Sequence, residues 1–346
     1  SGWSLLNMPQ GVTGVSNDIY DLHMTVVWIC VWISVVVYGV MFYSMFAHRK
    51  SKGYKAANFH ESTTVELLWT ILPVLILVWV AFPSTKSLIE LYDTSEADID
   101  IKVTGYQWKW QYEYLGEDVE FMSELTTSES SIYNESPKTE YYLSEVSEPL
   151  VLPIGKKIRF LLTAKDVIHA WWVPDLGVKR DAVPGFINET WAKIDEPGIY
   201  RGFCAELCGK GHAFMPVVVN AVTEDEYQIW LADKKAAAAA EREMAKQTFT
   251  LEQLMVKGEA AYNRSCAACH MANGEGIPGA FPGLKGSAIA LGPVAEHLDA
   301  VVNGVSGTAM QAFGGQLSEV DLAAIITYER NAWGNDVGDM VQPLDV

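Results

Sequence analysis

Cys204-Ala-Glu-Leu-Cys208-Gly-Lys-Gly-His212-Ala-Phe-Met215 places two thiols, an imidazole and a thioether within twelve residues, with the carboxylate of Glu206 between the thiols. Thiolate, imidazole and thioether are donors that copper favours, whereas magnesium takes oxygen. A mononuclear blue-copper site uses one cysteine, two histidines and a weak methionine. The second cysteine points instead to two copper ions bridged by two thiolates. A second histidine must then come from elsewhere, and His169, in Val-Ile-His169-Ala-Trp-Trp-Val-Pro, is the candidate donor. Three other readings of the run stand beside this one. Cys204 and Cys208 could form a disulfide in an oxidising compartment. They could join His169 and His212 in a structural Cys2His2 zinc site. Or they could be small core residues.

Around the run the chain reads as extended. Ile99, Ile101 and Val103 alternate with polar residues, the phase flips at Gly105, and Tyr106, Trp108, Trp110, Tyr112 and Tyr114 continue the alternation. A glycine at a phase change predicts a β-bulge. On this pattern alone Trp108 is a core aromatic. Further strands are predicted at 150–163, 167–173, 190–194, 199–204 and 216–222, between Pro and Gly turns. Together they predict a small β-sandwich or barrel over 98–225. The stretch 113–148, with ten acids and one base (Lys138), reads as a solvated loop or a docking surface.

Towards the N-terminus, residues 22–47 carry no Asp, Glu, Lys or Arg, and a second uncharged run covers 67–85 with Pro73 inside it. Each approaches or exceeds the ~20 residues that cross a bilayer as a helix, and a membrane helix tolerates proline. Arg49, Lys50, Lys52 and Lys55 lie between them, so that loop is expected to be cytoplasmic and both termini to face the other side. Ser1 is expected to follow a removed leader. Cys30, alone in an apolar run, reads as packing. Thr63-Thr-Val-Glu66 reads as a capping box opening the second helix, and an acid beside a span often marks ion movement.

Towards the C-terminus, 226–248 reads as a helical linker, and 249–346 as a further domain. Cys266-Ala-Ala-Cys269-His270 is a C-x-x-C-H attachment sequence for haem c. Two thiols bond the vinyl groups, and the adjacent imidazole becomes the proximal iron ligand. Helices are predicted over Leu251–Arg264 and Leu317–Trp333, with a Gly/Pro-rich loop between them. Met310 is the candidate sixth ligand, since a Met/His pair raises the potential. Met271 is too close to His270, Met340 lies beyond the closing helix, and His297 reads as a surface histidine. A redox dithiol at Cys266 and Cys269 would need a thioredoxin-like context that the sequence lacks. A formal charge of −18 argues against a nucleic-acid partner and suits a basic protein partner.

Two membrane helices, a β domain with His169 and the Cys204–Met215 run, and Gly-Tyr-Gln-Trp108-Lys-Trp resemble subunit 2 of cytochrome c oxidase. The C-terminal C-x-x-C-H domain makes the chain similar to the caa-type form, in which a cytochrome c is fused to that subunit. The resemblance covers nearly the whole chain. It implies a two-helix transmembrane hairpin over 1–97 (helices about 21–47 and 64–90), a cupredoxin-like β-sandwich and an all-α class I cytochrome c domain. It implies a dinuclear copper centre (CuA): Cys204 and Cys208 bridge, His169, His212 and Met215 are terminal ligands, and Glu206 gives its backbone carbonyl. The side chain of Glu206 would reach magnesium at the boundary with subunit 1. Trp108 would be the point of electron entry, and Glu66 would lie at the mouth of a proton path.

Haem c on Cys266, Cys269, His270 and Met310 would be the second cofactor. The implied function is electron input to subunit 1, which holds haem a and the haem a3–CuB pair, with oxygen reduction and proton pumping there and no oxygen chemistry in this chain. Subunit 3, membrane lipid and a donor cytochrome or cytochrome bc complex are the implied partners, and a bacterial inner membrane with periplasmic domains the implied location. Two rivals are a membrane-tethered cytochrome with a merely structural β domain and a relative of nitrous oxide reductase. The latter needs a histidine-rich copper cluster, and only seven histidines are present.

Overall fold

The computed structural model describes residues 6–55, 58 and 60–346; Ser1, with its expected leader junction, lies outside them. The chain divides into two compact units, one ending at Leu231 and one beginning at Ala232.

In the first unit, α1 (Gly14–Ala47) and α2 (Thr63–Leu91) are long and apolar enough to cross a membrane. Beyond the buried Val15, most of their Trp, Val, Leu and Phe side chains are exposed, as expected of helices whose solvent is lipid. At about 1.5 Å per residue α1 is roughly 51 Å long, well beyond a ~30 Å hydrocarbon core. Its start lies earlier than the apolar run suggests, because Thr13 and Ser16 form a reciprocal capping box there. The Thr13 hydroxyl also donates to Leu176 O at 2.9 Å, tying this helix end to the β domain. The end of α2 is tied as well: Trp191 Nε1 donates to Glu90 O at 3.1 Å, and the Arg180 guanidinium lies 5.3 Å from the Tyr92 ring centre. The expected capping box at Thr63 does not form. Ser62 holds the N-cap position without a side-chain bond, and Glu66 sits exposed in the first turn, where its charge favours the helix dipole.

The β domain comprises β1 (Ile99–Tyr106), β2 (Lys109–Tyr114), β3 (Val119–Ser123), the short α3 (Glu129–Ile132), β4 (Leu150–Pro153), β5 (Lys157–Ala164), β6 (His169–Val173), β7 (Val178–Ala182), β8 (Asn188–Lys193), β9 (Gly198–Cys204) and β10 (Pro216–Val222). They form two five-stranded sheets, ordered β3-β2-β1-β5-β8 and β4-β10-β9-β6-β7. Trp110, Tyr112, Phe160, Leu162, Trp171, Val217 and Val219 fill the space between them.

Several expectations change. The phase flip at Gly105 is not a bulge: Gly105 pairs with Trp110 and Tyr106 with Lys109, so the chain reverses at Gln107–Trp108. Trp108 therefore lies at a turn, half-buried, rather than in a strand interior. The predicted strand 150–163 is two strands in different sheets, broken at Gly155 with φ 75°. Part of the acidic stretch is structured too, since it supplies β3 and the end of β2, and Arg201 holds Glu145 at 2.6 Å. α4 (Glu224–Ala245) is not solely a linker, because Tyr227 and Leu231 are buried in the β-domain core.

The second unit contains α5 (Leu251–Ser265), α6 (Ala267–His270), α7 (Val294–Val302) and α8 (Glu319–Asn331). α5 packs on α8, where Gly258 lets the backbones close: a Cβ there would lie 2.1 Å from Ala324 O. Arg330, 2% exposed, forms a fork on Asp339 at 2.7 and 2.6 Å and donates from Nη1 to both Ala290 O and Gly292 O. Hydrogen bonding to Arg330 holds the Asp339 carboxyl below the usual carboxylate range. Its contribution is therefore present above the unfolded carboxylate value of about 3.9 and is lost as pH falls through the lower folded value. Asp339→Asn should cost about 2 kcal/mol, less than the ~3–5 for a fully buried pair because Asp339 is partly solvated. Thermal unfolding below about pH 4 should then respond less steeply to acid than in the parent.

Candidate metal centre

The β9–β10 connection builds most of the site. Cys204 ends β9 and its N–H donates to Met215 O at 3.0 Å, so the loop leaves and returns at one point. The next amide, Ala205, donates to Ala170 O at 2.9 Å, which brings the start of β6, and with it His169, alongside. His169 is fully buried, and its imidazole lies against Gly105, where a Cβ would come within 2.7 Å of the ring. That contact is the physical reason for glycine at 105.

Cys204 Sγ and Cys208 Sγ are 3.7 Å apart, far beyond the ~2.05 Å of a disulfide. His169 Nδ1 lies 3.9 Å from Cys204 Sγ, and His212 Nδ1 lies 3.5 Å from Cys208 Sγ. Glu206 O is 3.3 Å from Cys204 Sγ. Donor atoms of His169, Cys204 and Cys208 all fall within 4.8 Å of one another, with all three residues buried. Met215 is buried next to them in the chain, and the Glu206 side chain is exposed.

The electrostatics favour thiolate at Cys204 and oppose it at Cys208. Burial pushes the Cys204 thiol up, but bonding to His169 and to the backbone around it prevails and brings it down to about 7. Burial and the charge of Cys204 push Cys208 up to about 12. Burial disfavours the His169 imidazolium, yet Asp166 and Cys204 together raise its value to about 9. One thiol thus ionises readily, and the second needs a cation beside it.

Asp166 and Gln107, to which the sequence reading gave no role, support these donors together with Trp108. His169 donates Nε2–H to Asp166 Oδ1 at 2.8 Å, which leaves Nδ1 facing the sulfur. The spacing Asp166-x-x-His169 was the available signal. Cys208 O accepts from Gln107 Nε2 at 2.8 Å and from Trp108 Nε1 at 3.0 Å. The Trp108 ring lies over Gly211, where a Cβ would meet it at 2.2 Å. Trp108 is therefore in direct contact with the cysteine loop. Glu66, in α2, is not part of this cluster.

In the second unit, Cys266 caps α5, and Cys269 and His270 lie in α6. His270 is buried and donates Nδ1–H to Pro282 O at 2.8 Å, which leaves Nε2 for a metal. Tyr262 and Trp333 brace the segment by donating to Met271 O and Ala272 O. Met310 is half-buried against Val301, Phe313, Leu322 and Ile326, whereas Met271 and Met340 are 43% and 49% exposed. His297 is not a surface residue. It is 2% exposed, with Nε2 2.7 Å from Glu329 Oε2, because α7 turns that face onto α8.

Residues 99–222 match the family described as cytochrome c oxidase subunit II, periplasmic domain, and residues 1–87 match its transmembrane domain. Residues 253–328 match the family described as cytochrome c oxidase, cbb3-type, subunit III. Cytochrome c oxidase subunit 2 of Cyanidium caldarium is 37% identical over 227 residues, 64% of this chain and 88% of that protein. The Drosophila bifasciata protein of the same name is 35% identical over 235 residues, 68% and 98% of the two chains. The crystal structure of the periplasmic domain of subunit II of cytochrome oxidase from Bradyrhizobium japonicum aligns with TM-score 0.38 and 39% identity, covering 42% of this chain and 98% of that one.

Proposed function

Because the chain belongs to the cytochrome c oxidase subunit II family, we propose that Cys204, Cys208, His169, His212, Met215 and the carbonyl of Glu206 hold its copper, and that Cys266, Cys269, His270 and Met310 hold haem c. The chain is membrane-anchored with a periplasmic domain and, as a subunit II, works in a complex with other oxidase subunits. Copper and haem c are the cofactors that its family matches imply. When bound, these groups would supply one-electron chemistry, suited to carrying electrons from an outside donor towards haem a of subunit 1, where oxygen is reduced to water and protons are pumped.

The observation that carries the reading is the pair of buried, unbridged thiols with an imidazole facing each sulfur. Cys204 with His169, Cys208 with His212, and the buried Met215 make a soft donor set that would hold copper. The protein's part is to keep these donors fixed between oxidation states. His169 is fixed through Asp166, and Cys208 through two bonds to its carbonyl. Trp108 bonds directly to that carbonyl, which supports its assignment as the entry point for electrons.

The exposed Glu206 side chain offers one hard oxygen ligand to magnesium, whose remaining ligands would come from subunit 1 and water. We assign Glu66, exposed in the first turn of α2, to the mouth of a proton path in that subunit. We assign the complex, with subunit 3 and a donor cytochrome or cytochrome bc complex, to a bacterial inner membrane. Metal and haem analysis of the purified complex tests the assignment. Two coppers and one haem c per chain, with a mixed-valence paramagnetic signal, are expected; one zinc without copper would overturn it.

A further inference from the structure

We propose that Gln107 is a positioning residue of the copper centre, holding the His169 imidazole and the Cys208 thiolate in fixed relation through a supporting group of each. The inference rests on the copper reading above. Gln107 lies in the turn between β1 and β2, which belong to one sheet, whereas His169 begins a strand of the other sheet and Cys208 lies in a loop between two strands of that sheet.

Two arms reach across. The main-chain N–H of Gln107 donates to Asp166 Oδ2 at 2.6 Å, and Oδ1 of the same carboxylate accepts from His169 Nε2 at 2.8 Å. The side-chain amide donates to Cys208 O at 2.8 Å. With the Trp108 indole on the same oxygen, both lone pairs of that carbonyl are used. Gly209 keeps the way clear: its φ is 108°, and a Cβ there would sit 2.9 Å from Gln107 Nε2.

One residue therefore sets the distance between an imidazole and a sulfur that sit 39 positions apart in sequence. Groups that orient metal ligands from outside typically change metal affinity about 10- to 100-fold when removed. They also move the electronic signature of the site, which a residue needed only for folding would leave alone.

The test uses the full chain with Gln107→Glu and Gln107→Met. Both fill nearly the same space, both keep the main-chain arm, and neither can donate to Cys208 O. Copper affinity is measured by competition with a chelator, and the paramagnetic hyperfine pattern and thiolate-to-copper absorption bands are recorded. Affinity is expected to fall about tenfold or more, with both spectra shifted and the haem c spectrum unchanged. A parent chain that binds no copper would overturn the copper reading and this inference together. A loaded parent beside two variants with its affinity and spectra would overturn this inference alone.

Discussion

Cys208→Ser is expected to leave the chain folded and its haem attached while eliminating the copper centre and cutting oxidase turnover by more than about 100-fold. That figure is the upper end of what loss of a mere supporting group costs a metal site, and Cys208 is proposed as a ligand. It is 2% exposed, 3.7 Å from the other sulfur and 3.5 Å from His212 Nδ1. A hydroxyl is a harder donor that stays protonated at neutral pH and does not bridge two soft ions. The fold should survive because the loop is held at Cys208 by its carbonyl, through Gln107 and Trp108, rather than by its side chain. The measurement is copper and haem per chain together with oxygen consumption by the assembled complex. A variant with full copper and normal turnover would remove Cys208 from the ligand set.

Met310→Ala is expected to keep haem covalently attached, since Cys266 and Cys269 are untouched, but to lower its reduction potential. Thioether ligation opposite histidine raises the potential of haem iron, and axial ligands span roughly 0.8 V across haem proteins. A fall of about 0.12 V, at roughly 59 mV per decade for one electron, would shift the equilibrium with any fixed partner about a hundredfold. His297 is poorly placed to substitute, because it is buried and its Nε2 is engaged by Glu329. Met271 adjoins His270 in sequence and is 43% exposed, whereas Met310 is packed against the core of this unit. Redox titration of the haem absorption decides the matter; an unchanged potential would exclude Met310 as the ligand.

Much of this was legible because local chemistry wrote it into short stretches. C-x-x-C-H is contiguous, and the cysteine run carries most of its donors within twelve residues. Uncharged runs of membrane length have few other uses. What was misread depended on pairing. The alternation through Gly105 has the same period whether the chain continues or turns back, so Trp108 looked like a core aromatic until the register Tyr106–Lys109 placed it at a turn. The strand 150–163 looked continuous because both of its halves are apolar, although they belong to opposite sheets. His297 looked exposed because a lone histidine in a helix carries no sign of the acid that will face it from another helix.

The amino-acid sequence by itself determined the donor chemistry, the two membrane spans and the order of the domains, since composition and contiguous spacing suffice for those. Only the tertiary structure decided that the two thiols stand 3.7 Å apart without a bond, that Asp166 orients His169, and that Gln107 and Trp108 converge on the carbonyl of Cys208. Those relations join residues up to 101 positions apart. They exist because two sheets pack face to face and bring their loops together at one end, which no local pattern records.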